Sequence, residues 1–208
     1  MGEGFAFLGR HTTLMAFLVR SATFNLDVST VTTATVLRLA DRGVPTAQIG
    51  MVDTIAAAGG LLGATIAVRV VNRVRTGLFS VMTSTVLGPL FALTALSGSP
   101  WGVGAFFAAG MLLLPTNDSG VISYFSHVVP NGFQGRFSGA SGLVYGVLRQ
   151  LGPFLAGMVL ADWGGGAAVW LGSALIALSC LPILLVGELR TLPTPDEWPT
   201  WAEIEDTG

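Results

Sequence analysis

The sequence predicts an all-α, polytopic membrane protein of six transmembrane helices, and three observations carry that prediction. Hydrophobic residues make up 51% of the chain and charged residues only 11%, with a mean hydropathy of +0.70. A soluble domain carries roughly 25% charged residues. This chain lacks the polar groups to clothe a water-facing surface, so lipid must be the solvent for most of its exterior. The apolar residues also gather into six separate runs, each near the ~20 residues that cross a hydrocarbon core. Within each run they are continuous rather than alternating, which argues against membrane-spanning strands.

The runs are 14–37, 49–71, 78–96, 101–125, 137–160 and 167–187. Residues 1–13, MGEGFAFLGRHTT, precede the first and lack the basic start and apolar core of a signal peptide. Breaker-rich connections separate the runs in order: ADRGVPTAQ, NRVRT, SGSP, SHVVPNGFQGR and ADWGGG. After the sixth, residues 188–208 form an acidic, Pro-rich tail that reads as a disordered extension.

Arginine placement sets the expected orientation. Arg10, Arg69, Arg73, Arg75, Arg136 and Arg190 fall on the side of the N-terminus, against Arg38 and Arg42 on the other. The positive-inside rule therefore places both termini in the cytoplasm, with the chain in the cell membrane. An even number of spans requires the same shared side.

The second run carries Ala56, Gly59, Gly60 and Gly63, and the fifth Gly139, Gly142, Gly146 and Gly152. Small residues four apart let helices approach closely in lipid. These runs are the middle members of spans one to three and four to six, as an inverted 3+3 repeat would have them. The other reading is that glycine is simply common in membrane helices.

Several function classes lose support here. A net charge of −2 with no basic run leaves no nucleic-acid footprint. Cys180 is the single cysteine, so neither a metal-ligand cluster nor an intramolecular disulfide is expected, and its role reads as packing. No phosphate-binding glycine loop exists, and no cofactor is expected. Gly139-Ala140-Ser141-Gly142 fits the GxSG of rhomboid intramembrane proteases. Nucleophilic serine chemistry needs a general base within reach, and a rhomboid takes its histidine from a later helix. The histidines here are His11 and His127, neither of which follows Ser141. Ser141 reads better as a small packing residue, and the chain is not expected to be an enzyme.

Polar groups inside spans cost about 2.5–3.5 kcal/mol for Arg or Asp at the centre. Arg20, Asp27, Asp118 and Arg149 stand inside the runs. Counting ~1.5 Å per residue from the cytoplasmic ends places Asp27 and Arg149 roughly 19 and 18 Å deep, and Arg20 and Asp118 roughly 9 and 10 Å deep. Two opposite-charge pairs at matched depth follow. Each is either a polar pathway, in which an Asp binds a proton or a cationic group, or a fixed ion pair that permits burial. Asn25, Asn117 and Gln150 adjoin these charges and either line the same cavity or bond between helices. Pro115 and Pro153 permit kinks.

The segment VVPNGFQGRFSGASGLVYGVLRQLGPFLAGMVLADWGG resembles the stretch joining helices ten and eleven of the major facilitator superfamily. There a "vP…rGR" loop, matched here by Pro130, Gly135 and Arg136, precedes a Gly-rich helix with an "lGp…aG" pattern. Residues 2–25 resemble that family's central linker entering helix seven. The nearest likeness is to the drug-efflux and siderophore-export branch, which includes macrolide exporters. The resemblance implies that these spans are helices seven to twelve of a twelve-helix transporter. It further implies secondary active export of a small amphipathic molecule, coupled to protons, and Gly152-Pro153 resembles the family's antiporter Gly-Pro motif. Asn72-Arg73-Val74-Arg75 keeps the basic part of the family's loop signature, with Asn in place of the acid and without its glycine. On this resemblance, helices one to six of such a transporter are not expected within this sequence. Two further expectations stand beside active export. One is an inactive fragment of a split or truncated gene. The other is a half-transporter that pairs with a second six-helix chain or with itself.

Overall fold

The computed structural model describes residues 12–129 and 131–185, and its regular structure there is helical throughout. The helices are α1 (Thr12–Asp41), α2 (Thr46–Val70), α3 (Thr76–Leu96), α4 (Pro100–Val128), α5 (Asn131–Leu178) and the short α6 (Leu181–Leu185). A 3-10 turn, Val71–Arg73, continues α2. The expected linker remnant up to residue 11, Pro130 and the tail 188–208 lie outside the described residues.

Among the described residues, four stretches are long and apolar enough to cross a membrane: Thr46–Arg73, Thr76–Leu96, Pro100–Val128 and Gly132–Leu178. α1 has the length, at 30 residues, but its threonines and charges dilute its hydropathy. Its polar groups point inward instead, with Arg20, Asp27, Thr30, Thr35 and Arg38 all buried.

The fifth and sixth expected spans share one 48-residue assignment, interrupted at Gly164 (φ 82°, ψ 165°). An L-residue rarely adopts that backbone, so glycine is required there. The break reverses the chain. A Cβ placed on Gly152 would meet Ser29 and Thr30 of α1, one on Gly165 would meet Arg38, and one on Gly172 would meet Val31. Contact thus climbs α1 from residues 29–30 to 38 and returns to 31, so the arms 131–163 and 165–178 form a hairpin against α1. The ADWGGG connection supplies its turn.

Glycines fix the other close crossing. Gly59 and Gly63 of α2 lie on the backbones of Ala108 and Leu112 of α4, while Gly104 of α4 receives Ile55 of α2. All three contacts share one register, 49 residues apart, so α2 and α4 run parallel. The remaining expected glycine contacts are not made. A Cβ on Gly60 meets only Met111 Cβ at 3.9 Å, and at Gly139, Gly142 and Gly146 it meets nothing within 4 Å. Their side of α5 is uncovered. Small residues permit close approach, but only a neighbouring helix uses it.

Two apolar clusters fill the bundle. One, around Phe17, joins α1, α4 and the start of α5 through aromatic rings: Phe17 lies 5.6 Å from Tyr124 and 5.7 Å from Phe125, which lies 4.8 Å from Phe137. The other, around Val31, Leu87, Phe91 and Ile176, occupies the rest. Outside, α2 presents Leu61, Leu62, Ile66 and Val68, and α5 presents Leu143, Val147, Leu151, Phe154 and Met158. Apolar helices with apolar exteriors are those of a membrane protein.

Candidate functional site

Among the described residues Arg20 is the largest fully buried side chain, 1% exposed. A buried guanidinium needs acceptors for its donors, and two helices supply three for Nη2, while Nε has no partner among the described residues. Nη2 donates to Ser80 O at 3.2 Å and Ser84 Oγ at 3.1 Å on α3, and to Asn117 Oδ1 at 3.3 Å on α4. Ser80 Oγ donates to the same Asn117 oxygen at 3.1 Å, and Ser84 Oγ lies 3.2 Å from Ser179 Oγ. Asn117 Nδ2 in turn donates to Asp118 Oδ1 at 3.2 Å. The shallower charge pair is therefore brought together, with Asn117 as the bridge between cation and carboxylate. The guanidinium also stacks on Phe24, 4.5 Å from the ring centroid. Of these acceptors only Ser84 Oγ and Asn117 Oδ1 are side-chain groups that the sequence could signal.

Beside this network lies a cavity of about 410 Å³ between α1, α4 and the first arm of α5. From α1 it takes Arg20, Ser21, Phe24 and Asn25; from α4, Asp118, Val121, Ile122 and Phe125; from α5, Ser138, Ser141, Gly142 and Tyr145. Asp118 and Asn117 are adjacent, so on a helix they point about 100° apart. Asn117 is buried in the network, whereas Asp118 is exposed to the cavity. Asn25 lines the cavity too, its Nδ2 held by Ser21 O at 2.9 Å. Ser141 reaches the wall, but its hydroxyl donates to Phe137 O at 2.8 Å.

The deeper expected pair does not form. Asp27 is buried at 3% exposure, while Arg149 and Gln150 are exposed on α5. Asp27 makes no hydrogen bond or ion pair among the described residues. Register explains this. Asp27 follows Arg20 by seven residues, two turns on nearly the same face, so it shares the direction of α3 and α4. α5 instead meets Ser29 and Thr30, through Gly152. Equal distance along two helices does not make their side chains face each other.

The loop residues sit at the periphery. Arg73 and Arg75 are exposed around the turn between α2 and α3. Gly135 is exposed with open space about it, and Arg136 stacks over Phe133 at 5.6 Å. At the other end of the bundle, Arg38 donates from Nη1 to Thr94 O at 2.7 Å and from Nη2 to Ala95 O, and Arg42 Nη1 donates to Ser97 O at 3.4 Å. Both arginines thereby meet the C-terminal carbonyls of α3, which lack intrahelical donors. Among the described residues no group of acidic, His and Cys side chains could hold a metal ion. No family model matches this chain, and no curated protein matches it.

Proposed function

We propose that this chain is a six-span half of a secondary transporter of the major facilitator type, moving a small amphipathic molecule across the cell membrane. The observation that carries the reading is the cavity of about 410 Å³, part polar and part aromatic, set among helices whose exteriors are apolar. A membrane protein with a purely structural bundle has no need of a carboxylate exposed inside it, since intramembrane charge is costly. Pairing with a second six-helix chain or a second copy is part of the proposal. Its support is the open side of α5, where Arg149 and Gln150 are exposed beside the uncovered Gly139, Gly142 and Gly146. Lipid is a poor neighbour for an arginine at that depth.

The six-span topology rests on the hairpin at Gly164 and on the arginine distribution, and it places both termini in the cytoplasm. Reporters fused after Thr76 are expected to give a cytoplasmic signal, and reporters within 97–100 or 162–166 an external one. A cytoplasmic signal from 162–166 would overturn this topology.

The transport reading is tested in liposomes under an imposed pH gradient. The purified monomer is expected to move no amphipathic solute, whereas its dimer or its complex with a six-helix partner does. Transport by a demonstrated monomer would remove the pairing requirement. Absence of transport from every assembled form would sink the transporter reading.

A further inference from the structure

Charge is divided unequally between the two ends of the bundle. At the end where α2 finishes and α3 and α5 begin, Arg69, Arg73, Arg75 and Arg136 are all exposed. The acids of the described residues lie elsewhere: Asp41, Asp53 and Asp162 toward the opposite end, Asp27 buried among the helices and Asp118 on the cavity. Half of the chain's acids fall in the tail, as Glu188, Asp196, Glu197, Glu203, Glu205 and Asp206, against Arg190 alone. The chain also approaches that tail at the arginine end. Ser84 of α3 meets Ser179, and a Cβ on Gly88 would meet Ser173 and Ala177, so the second arm of α5 descends antiparallel to α3. α6 continues along α1 and α3, and its last residue, Leu185, comes about level with Leu78, one turn from Arg75.

We propose that residues 188–208 dock across this arginine face, so that the acidic tail is a ligand of its own bundle. The stretch from Leu185 to Asp196 can span up to roughly 36 Å, enough to cross the turn from Arg69 to Arg75. Trp198 and Trp201 stand among the acids, and indole faces attract guanidinium groups as carboxylates do. Anionic lipid headgroups offer the charge without the rings, and they lack the tether, which holds the tail near these arginines at an effective concentration of about a millimolar. The contact does not depend on the transport reading. Nor does it depend on which side of the membrane this end faces, because both partners belong to the same end of the bundle.

Cysteine crosslinking of the full chain in phosphatidylcholine nanodiscs tests this. Asn72→Cys, exposed between the arginines, is paired with Thr200→Cys, which lies between the acidic groups of the tail. The background is Cys180→Ser, whose hydroxyl can still donate to Ala177 O. An intramolecular disulfide is expected to form about tenfold faster with the native tail than with Asp196, Glu197, Glu203 and Glu205 all changed to amides. Exposed ion pairs are individually weak, but several act together on a tethered segment. Arg69→Gln with Arg73→Gln is expected to slow the reaction similarly. Reversing both sides, with Arg69→Glu and Arg73→Glu against Asp196→Arg and Glu197→Arg, is expected to restore it. At 1 M salt, where the Debye length is about 3 Å, the difference between native and amide tails should vanish. Equal rates for native and amide tails at low salt would overturn the proposal. So would a disulfide that forms only between two copies. Equal rates together with a preference for phosphatidylglycerol that Arg69→Gln and Arg73→Gln abolish would assign the arginines to lipid instead.

Discussion

Replacing Arg20 with leucine is expected to weaken the packed state of the bundle by about 2–4 kcal/mol while leaving insertion of α1 as good or better. The two effects separate because folding in a membrane has two stages. A guanidinium within a span penalises insertion whether or not the helices then pack. Packing is where Ser80 O, Ser84 Oγ and Asn117 Oδ1 become its acceptors. Bonds between membrane helices average about 0.6 kcal/mol and reach about 1.7. Three around a charge that is 1% exposed give the stated range. Membrane-extracted yield reports insertion, and thermal or denaturant unfolding in detergent reports packing. Arg20→Lys keeps the charge, but a single ammonium lacks the planar fork and should fall between the two. A leucine variant as stable as wild type in the packed state would mean that the network merely accommodates the arginine.

The second large effect belongs to Gly59. A Cβ at this position would overlap Ala108 O and approach Ala108 Cα to 2.6 Å, and at Gly63 it would come to 2.9 Å from Leu112 Cα. Those are backbone atoms of α4 and cannot rotate aside. Even alanine must push the helices apart along the seam, an overpacking that costs typically about 1–3 kcal/mol. The neighbouring Gly60 supplies the control within the same turn. Its Cβ would meet only Met111 Cβ at 3.9 Å, so Gly60→Ala is expected to be neutral or to stabilise the helix by up to about 1 kcal/mol. Unfolding midpoints of the two single variants compare them directly. Equal stability of Gly59→Ala and Gly60→Ala would show that the α2–α4 seam has room for a Cβ against Ala108.

These glycines also show where the sequence was readable and where it stopped. Runs of apolar residues located α2, α3 and α4 to within about three residues, since hydropathy reports what lies within a helix. The fifth and sixth runs fall within one 48-residue helical stretch, which Gly164 interrupts. What hydropathy does not encode is the direction a residue faces. Gly59 and Gly139 are alike in sequence, yet only Gly59 has a helix against it. Depth along the axis follows from a rise of ~1.5 Å per residue, and an error of one residue shifts it little. Azimuth turns by about 100° per residue, so the same error moves a side chain to another neighbour. For this reason Arg20 and Asp118 meet through Asn117, while Asp27 is buried and Arg149 is exposed, with no bond between them. The acceptors of Arg20 were harder still, because one is a backbone carbonyl, which no side-chain pattern marks.

The arginines at the far end of α1 alter the way the chain's charge asymmetry should be counted. Positive residues resist translocation in proportion to the charge they present, and Arg38 and Arg42 are the two that stand against the proposed orientation. In the folded bundle both donate to the last carbonyls of α3, where the partial negative charge of that helix end meets them. Their opposition is therefore a feature of the nascent chain and fades once α3 has followed α1 into the bilayer. Topogenesis of this protein would then be decided late, by its third helix and not its first, and a ribosome-stalled chain ending before α3 should show mixed orientation where the full chain shows one.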